Sequence, residues 1–210
     1  MQVRTTDVFR LVEEELEKYV SGYVSGSTGG KKLPVLLAID GRCGSGKTTL
    51  AGVIAQRYRA EVIHMDDFFL QKDQRTPERL AEPGGNVDRE RFRQEVILPI
   101  LEGKEKFEYQ RYDCSRQELG ETVHIAKSPL IVIEGAYSCH PYFGDIYDIR
   151  IFMDVDPAEQ RRRILSRNGP EMLPRFISEW IPKEELYFRT FRIKEKCSIC
   201  LAEIPHFPTT

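Results

Sequence analysis

Eight consecutive residues carry the clearest chemical pattern in the chain. Gly41-Arg42-Cys43-Gly44-Ser45-Gly46-Lys47-Thr48 reads GxxxxGKT. Glycines let the backbone curl until successive N–H groups converge on one point, which is the arrangement that holds phosphate oxygens. A helix starting at Lys47 adds the positive end of its dipole. Lys47 would neutralise the β- and γ-phosphates of a nucleotide, and the Thr48 hydroxyl would ligate Mg²⁺. Gly41, Gly44, Ser45, Gly46, Lys47, Thr48 and Thr49 are the expected nucleotide contacts, with ATP and Mg²⁺ the expected cofactors. Arg42, Cys43 and Ser45 are expected to contribute mainly backbone, their side chains needing no role.

Acids stand at two other places where a buried strand gives way to a loop. Glu134 ends the run LIVIE, and a carboxylate there lies at the carboxyl edge of the sheet, where ligands bind. It could hold Mg²⁺ directly or through water. EVIHM runs into Asp66-Asp67-Phe68-Phe69. Phosphoryl transfer to an alcohol needs a group that orients the hydroxyl and takes its proton, and one of these two acids is the natural candidate. Asp67 reads as a helix cap, and Phe68 and Phe69 as packing.

The segment RRRILSRNGPEMLPRF gathers arginines beside a Gly-Pro break. Basic side chains on a lid can close over a nucleotide and offset charge on the transferring group. Arg162, Arg163, Arg167 and Arg175 are the candidates, and Arg167, at the hinge-like end, is the first choice as a catalytic residue. On a helix at least one of the consecutive arginines must face solvent.

These groups need a scaffold that brings strand ends together. PVLLAID (34–40), EVIHM (61–65), PLIVIEG (129–135) and IRIFMDV (149–155) are continuous apolar runs, as suits strands buried on both faces of a parallel sheet. Helical patterns fall between them, at about 47–58, after Asp88, which could cap a helix carrying Phe92, Val96 and Ile100, at about 157–167 and at about 175–191. Residues 106–126 read as a hairpin and 197–203 as a last strand. Residues 5–20 form an amphipathic pattern, with Val8, Leu11, Val12, Leu16, Tyr19 and Val20 on one face, followed by SGYVSGSTGGKK, which reads as a flexible link. The expected fold is α/β: a doubly wound parallel sheet flanked by helices, with a short lid and an appended N-terminal helix. The expected division is 1–30 for helix and link, and 31–210 for the nucleotide-binding domain.

The ordered set GRCGSGKT, MDDFF, GGNVD, YD and IVIEG resembles the uridine kinase family of small-molecule P-loop kinases, a group with nicotinamide riboside kinase, phosphoribulokinase and pantothenate kinase. The order and approximate spacing hold over residues 34–203. The resemblance implies a P-loop NTPase fold and transfer of the γ-phosphate of ATP to a hydroxyl of a small molecule, with a nucleoside as the first choice. It implies that Asp66 acts as base toward that hydroxyl and contacts the substrate, that Asp88 binds ribose hydroxyls, that Tyr112 lies near a nucleobase, and that Glu134 helps hold Mg²⁺. Uridine kinases usually carry a histidine shortly after YD; here YDCSRQEL carries Arg116 and Gln117 in that region. The acceptor could therefore also be a non-nucleoside such as pantothenate or a sugar phosphate.

Bulk properties narrow the field. The chain has 210 residues, enough for one α/β domain with a sizeable core. A net charge of −2 argues against a dedicated nucleic-acid binder. No stretch approaches the ~20 apolar residues that span a bilayer, and the acid-rich N-terminus does not read as a targeting segment. A cytoplasmic protein is expected, with a small-molecule substrate, no nucleic-acid or membrane partner, and compatibility with a homo-oligomer. Five cysteines without a secretory segment read as reduced thiols, and Cys197 and Cys200 as strand residues. A P-loop NTPase that hydrolyses ATP or GTP for a partner is the competing class, although an NKxD guanine motif is absent. A non-catalytic nucleotide-binding regulator ranks lower, because Asp66 and Glu134 are both present.

Overall fold

In the computed structural model, which describes residues 5–24 and 33–202, five apolar runs line up as one parallel sheet. The strands are β1 (Val35–Gly41), β2 (Glu61–His64), β5 (Leu130–Glu134), β6 (Ile149–Asp154) and β7 (Ile199–Ala202), in the order β2-β5-β1-β6-β7. Alternation explains why the runs are apolar throughout. Val35, Leu37 and Ile39 face one cluster with Leu130 and Val132, whereas Leu36 and Ala38 face the other with Ile131 and Ile133. Both faces of β1 and β5 are covered along their whole length, so no position there can be polar without a partner.

Helices α1 (Thr5–Val24) and α2 (Lys47–Tyr58) cover one face. Val12, Leu16, Leu50, Ala51 and Ile54 fill that cluster. The first helix therefore packs directly on the sheet, with Val12 and Leu16 fully buried; Leu11 and Tyr19, expected on the same face, are exposed. It also runs to Val24, so the expected link begins later than Ser21; residues 25–32 of that link lie outside the described residues.

The other face carries a continuous helical stretch of α4 (Arg89–Phe92), a π turn (Arg93–Ile97) and α5 (Leu98–Leu101). Its Phe92, Val96 and Ile100 are buried as their spacing predicts. A hairpin of β3 (Lys106–Asp113) and β4 (Glu118–Ala126) forms a separate antiparallel pair on this side. The chain then adds α6 (Pro157–Asn168) and a second composite helix: α7 (Leu173–Arg175), a π turn (Phe176–Trp180) and α8 (Ile181–Phe191). One short helix, α3 (Pro77–Ala81), was not expected; Thr76 caps it and Pro77 starts it. The last strand is shorter than expected and leaves Cys197 outside it; Glu203 lies outside the described residues.

From β1 the chain moves to β2 on one side, while β6 lies on the other, so the sheet changes winding direction at the carboxyl end of β1. The GxxxxGKT turn leaves β1 at that point, in the crevice where doubly wound sheets bind ligands. Among the described residues no helix is long and apolar enough to cross a membrane.

Candidate active site

The loop after β1 is shaped by close approach to β6. Gly41 has φ 133°, and a Cβ there would lie 2.1 Å from the Met153 carbonyl oxygen. Gly46 caps α2 in the left-handed region with no side-chain bond to the helix, which leaves the first-turn N–H groups facing outward. Lys47 Nζ donates to the carbonyls of Gly41 and Arg42, each at 2.8 Å. Helix α6 braces the turn: Gln160 Nε2 donates to Cys43 O at 2.9 Å and Arg163 Nη1 to Gly44 O at 3.1 Å. Arg42 is more than backbone. Its guanidinium pairs with Asp154 and, at 2.6 Å, with Glu185 of α8.

Beside this loop opens a cleft of about 1050 Å³. Its walls bring together Lys47, Thr48, Asp66, Tyr112, Glu134 and Arg167, which come from five separate parts of the chain. Glu134 is buried, and its Oε1 accepts from Thr48 Oγ1 at 3.1 Å and lies 2.5 Å from His64 Nδ1.

The two adjacent acids divide. Asp67 is buried and accepts from Tyr109 Oη at 2.9 Å and Arg111 Nε at 3.1 Å, so it ties the hairpin to the loop after β2 and is not a simple helix cap. Asp66 is exposed to the cleft, and among the described residues none donates to its carboxylate. The surrounding protein pushes its pKa up, Glu134 adds to this, and Lys47 and Arg167 pull the other way.

Asp88 sits apart. Its Oδ1 caps the following helix through Arg91 N–H at 2.9 Å, its Oδ2 accepts from Gln74 Nε2 at 2.9 Å, and it does not line the cleft. Tyr112 is in the cleft wall, its hydroxyl accepting from Arg75 Nη2 at 2.6 Å. Of the lid arginines, Arg163, Arg167 and Arg175 line the cleft. Arg162 does not; it pairs with Glu159 on the exposed side of α6.

No protein-family model matches the chain. Two curated uridine kinases do match it. That of Latilactobacillus sakei subsp. sakei is 26% identical over 149 residues, covering 67% of this chain and 70% of its own. That of Ureaplasma parvum serovar 3 is 28% identical over 162 residues, covering 71% and 77%. Over about two thirds of its length the chain is similar to these uridine kinases. It is an ATP-dependent kinase of a small molecule. The same fold extends further: D-glycerate 3-kinase from Cryptococcus neoformans var. grubii superposes with a TM-score of 0.61 over 95% of this chain and 97% of its own, at 14% identity.

The kinase's residues suit both expected cofactors. In the cradle the buried Ser45 hydroxyl has no hydrogen-bond partner among the described residues, and the helix N–H groups are uncapped. Both are donors that phosphate oxygens can satisfy. Thr48 and Glu134 together offer hard oxygen donors of the kind Mg²⁺ prefers. Among the described residues no group of three or more His, Cys, Asp and Glu could hold a metal alone. A metal here would share its shell with phosphate and water, as Mg²⁺ in kinases does.

Three contributors to the kinase's site escaped the sequence reading. Asp40, fully buried at the end of β1, accepts from the N–H groups of Gly41, Tyr137 and Cys139 and from Tyr187 Oη. Burial raises its pKa and these donors oppose the rise. The available signal was an acid closing an apolar strand directly before the glycine turn. His64 stands opposite Glu134 in the β2–β5 register, which becomes visible only once the strand order is known. Glu184 of α8, whose Oε2 accepts from Cys43 N–H at 2.9 Å, offered no signal beyond an acid pair in a helix.

Proposed function

We propose that the kinase transfers the γ-phosphoryl of ATP to a hydroxyl of a nucleoside or closely similar polyol. The observation that carries this reading is Asp66: an exposed carboxylate without a partner among the described residues, in the same cleft as Lys47. A base needs access to the hydroxyl, and Asp67, buried, held by Tyr109 and Arg111 and absent from the cleft wall, lacks it.

In this reading the uncapped first-turn N–H groups of α2, the Ser45 hydroxyl and Lys47 hold the nucleotide phosphates, and Thr48 and Glu134 hold Mg²⁺. When bound, Mg²⁺ supplies charge neutralisation at the β- and γ-phosphates. Asp66 orients the acceptor hydroxyl for in-line attack and accepts its proton. Arg167, with Arg163 and Arg175 nearby in the cleft wall, offsets negative charge and excludes water, which is itself a competing nucleophile. Tyr112 lies along the wall that would receive the acceptor. The catalytic unit would be residues 31–210, with the first helix packed on its sheet, and a cytoplasmic setting fits a small-molecule kinase.

A specific observation favours a second acceptor class. Both Asp88 oxygens are engaged, and Gln117 rather than a histidine lines the cleft near Tyr112. An acceptor without a ribose diol, for example a carboxylated or phosphorylated polyol, needs neither group. ATP consumption with Mg²⁺ against ribosides, pantothenate, glycerate and sugar phosphates separates the classes, with each hit checked by mass spectrometry for one added phosphoryl group. A phosphorylated riboside supports the nucleoside reading, and a phosphorylated non-riboside replaces it. ATP loss with no phosphorylated product would contradict both acceptor readings.

A further inference from the structure

Two neighbouring acids of α8 hold the phosphate loop in different ways. Glu185 pairs with Arg42 at the rim of the loop. Glu184 is 6% exposed, lines the cleft, and accepts from the backbone N–H of Cys43 at 2.9 Å. Cys43 is the third residue of the GxxxxGKT turn, whose N–H groups are the donors that cradle phosphate. One donor of the cradle is therefore already spent on a carboxylate, and a negative charge stands where a second must arrive.

We propose that Glu184 makes nucleotide binding proton-linked: it is a carboxylate while the loop is empty and takes up a proton when the phosphates bind. Two anions sharing one amide in a water-poor wall repel strongly, and like charges at this range move a carboxyl's pKa by ~1–3 units. Neutralised, the carboxyl becomes an O–H donor that a phosphate oxygen can accept. The surroundings prepare this. Burial pushes Glu184 up to about 7, against the pull of Lys47 and of the Cys43 N–H. The charged and titratable groups facing it are Lys47 from α2, Cys43 from the loop, Asp66 after β2 and Tyr137 after β5, with Arg42 and Glu185 at the rim. Of these, Lys47 favours the carboxylate and Asp66 opposes it. The inference rests on the 41–48 loop being the phosphate site.

Calorimetric titration of the full chain with a non-hydrolysable ATP analogue and Mg²⁺, at pH 8 in buffers of different ionisation enthalpy, reads the proton directly. At that pH the analogue's own phosphates are fully ionised, with a last pKa of about 6. The wild type should take up roughly half a proton or more per nucleotide. Glu184→Gln, which keeps the Cys43 bond with a neutral group, should take up several-fold less. It should also bind the analogue up to about tenfold more tightly at pH 8 than the wild type does. Equal proton uptake in the two proteins would overturn the role of Glu184 while leaving the cradle intact. Failure of the wild type to bind nucleotide would overturn the cradle as well. Should the variant not fold, the wild type alone decides: affinity falling between pH 7 and pH 9 is expected, and a flat profile overturns the proposal.

Discussion

His64 Nδ1 lies 2.5 Å from Glu134 Oε1, across the register that pairs β2 with β5. The same carboxylate oxygen receives the Thr48 hydroxyl of the phosphate loop. One buried acid thus links the strand that leads into Asp66 to the first turn of α2, and the acceptor half of the cleft is set relative to the nucleotide half through it.

The pair has a pH consequence for the metal-free protein. The hydrogen bond and charge of Glu134 raise the His64 pKa above its ordinary value. A raised folded-state pKa means that protonated His64 stabilises the fold. That stability is fully present below the unfolded value of about 6.5 and is lost as pH rises through the folded one. Urea midpoints measured in EDTA from pH 5.5 to 9 should therefore fall more steeply for the wild type than for His64→Gln. Parallel profiles would show that the contact carries no linkage.

Asp40 and Tyr187 form a second tie, this one between β1 and α8. The bond is 2.8 Å long and both residues are fully buried. Tyr187→Phe keeps the ring packing and removes one donor from a carboxylate that burial already disfavours. Loss of a hydrogen bond to such a group costs about 1.5–3 kcal/mol. Equilibrium urea unfolding should show a loss in that range; a change below about 0.5 kcal/mol would mean that the three backbone donors alone satisfy Asp40.

The arginines should separate by position. Arg162 faces solvent with Glu159, whereas Arg167 lines the cleft. Arg162→Ala should leave kcat/KM within about twofold, while Arg167→Ala should lower kcat by about 10²-fold or more, the usual effect of removing a group that stabilises transition-state charge. Equal effects of the two substitutions, measured in the same acceptor assay, would remove Arg167 from the chemistry.

How far the site was legible depends on how local its geometry is. The glycine turn declares itself because Gly41 needs both a backbone angle and a clearance that few residues permit, because Gly46 needs the angle, and because a buried strand precedes them. Glu134 and Asp66 were visible because each follows an apolar run, a signal that Asp40 shares but that does not reveal its buried role. Asp40, His64 and Glu184 were not, because each acquires its role from a partner far along the chain: Tyr187, Glu134 and Cys43 respectively. Asp88 shows the opposite failure. An Asp before a helical pattern is both a cap and a candidate sugar ligand, and only the positions of Gln74 and Arg91 show that its oxygens are engaged locally. The Arg42 side chain was passed over because a loop contributing its backbone gives no hint that Asp154 and Glu185 will converge on it.

The most direct test concerns Asp66, since the proposed reaction turns on one free carboxylate facing Lys47's cleft. Steady-state phosphorylation of the best acceptor by Asp66→Asn should be measured together with the nucleotide Kd. The expected result is a fall in kcat of about 10²–10⁴-fold, the range for losing a positioned base, with the nucleotide Kd changed by no more than about threefold. Wild-type turnover in that variant would contradict the assignment of Asp66 and, with it, the proposed path of the proton.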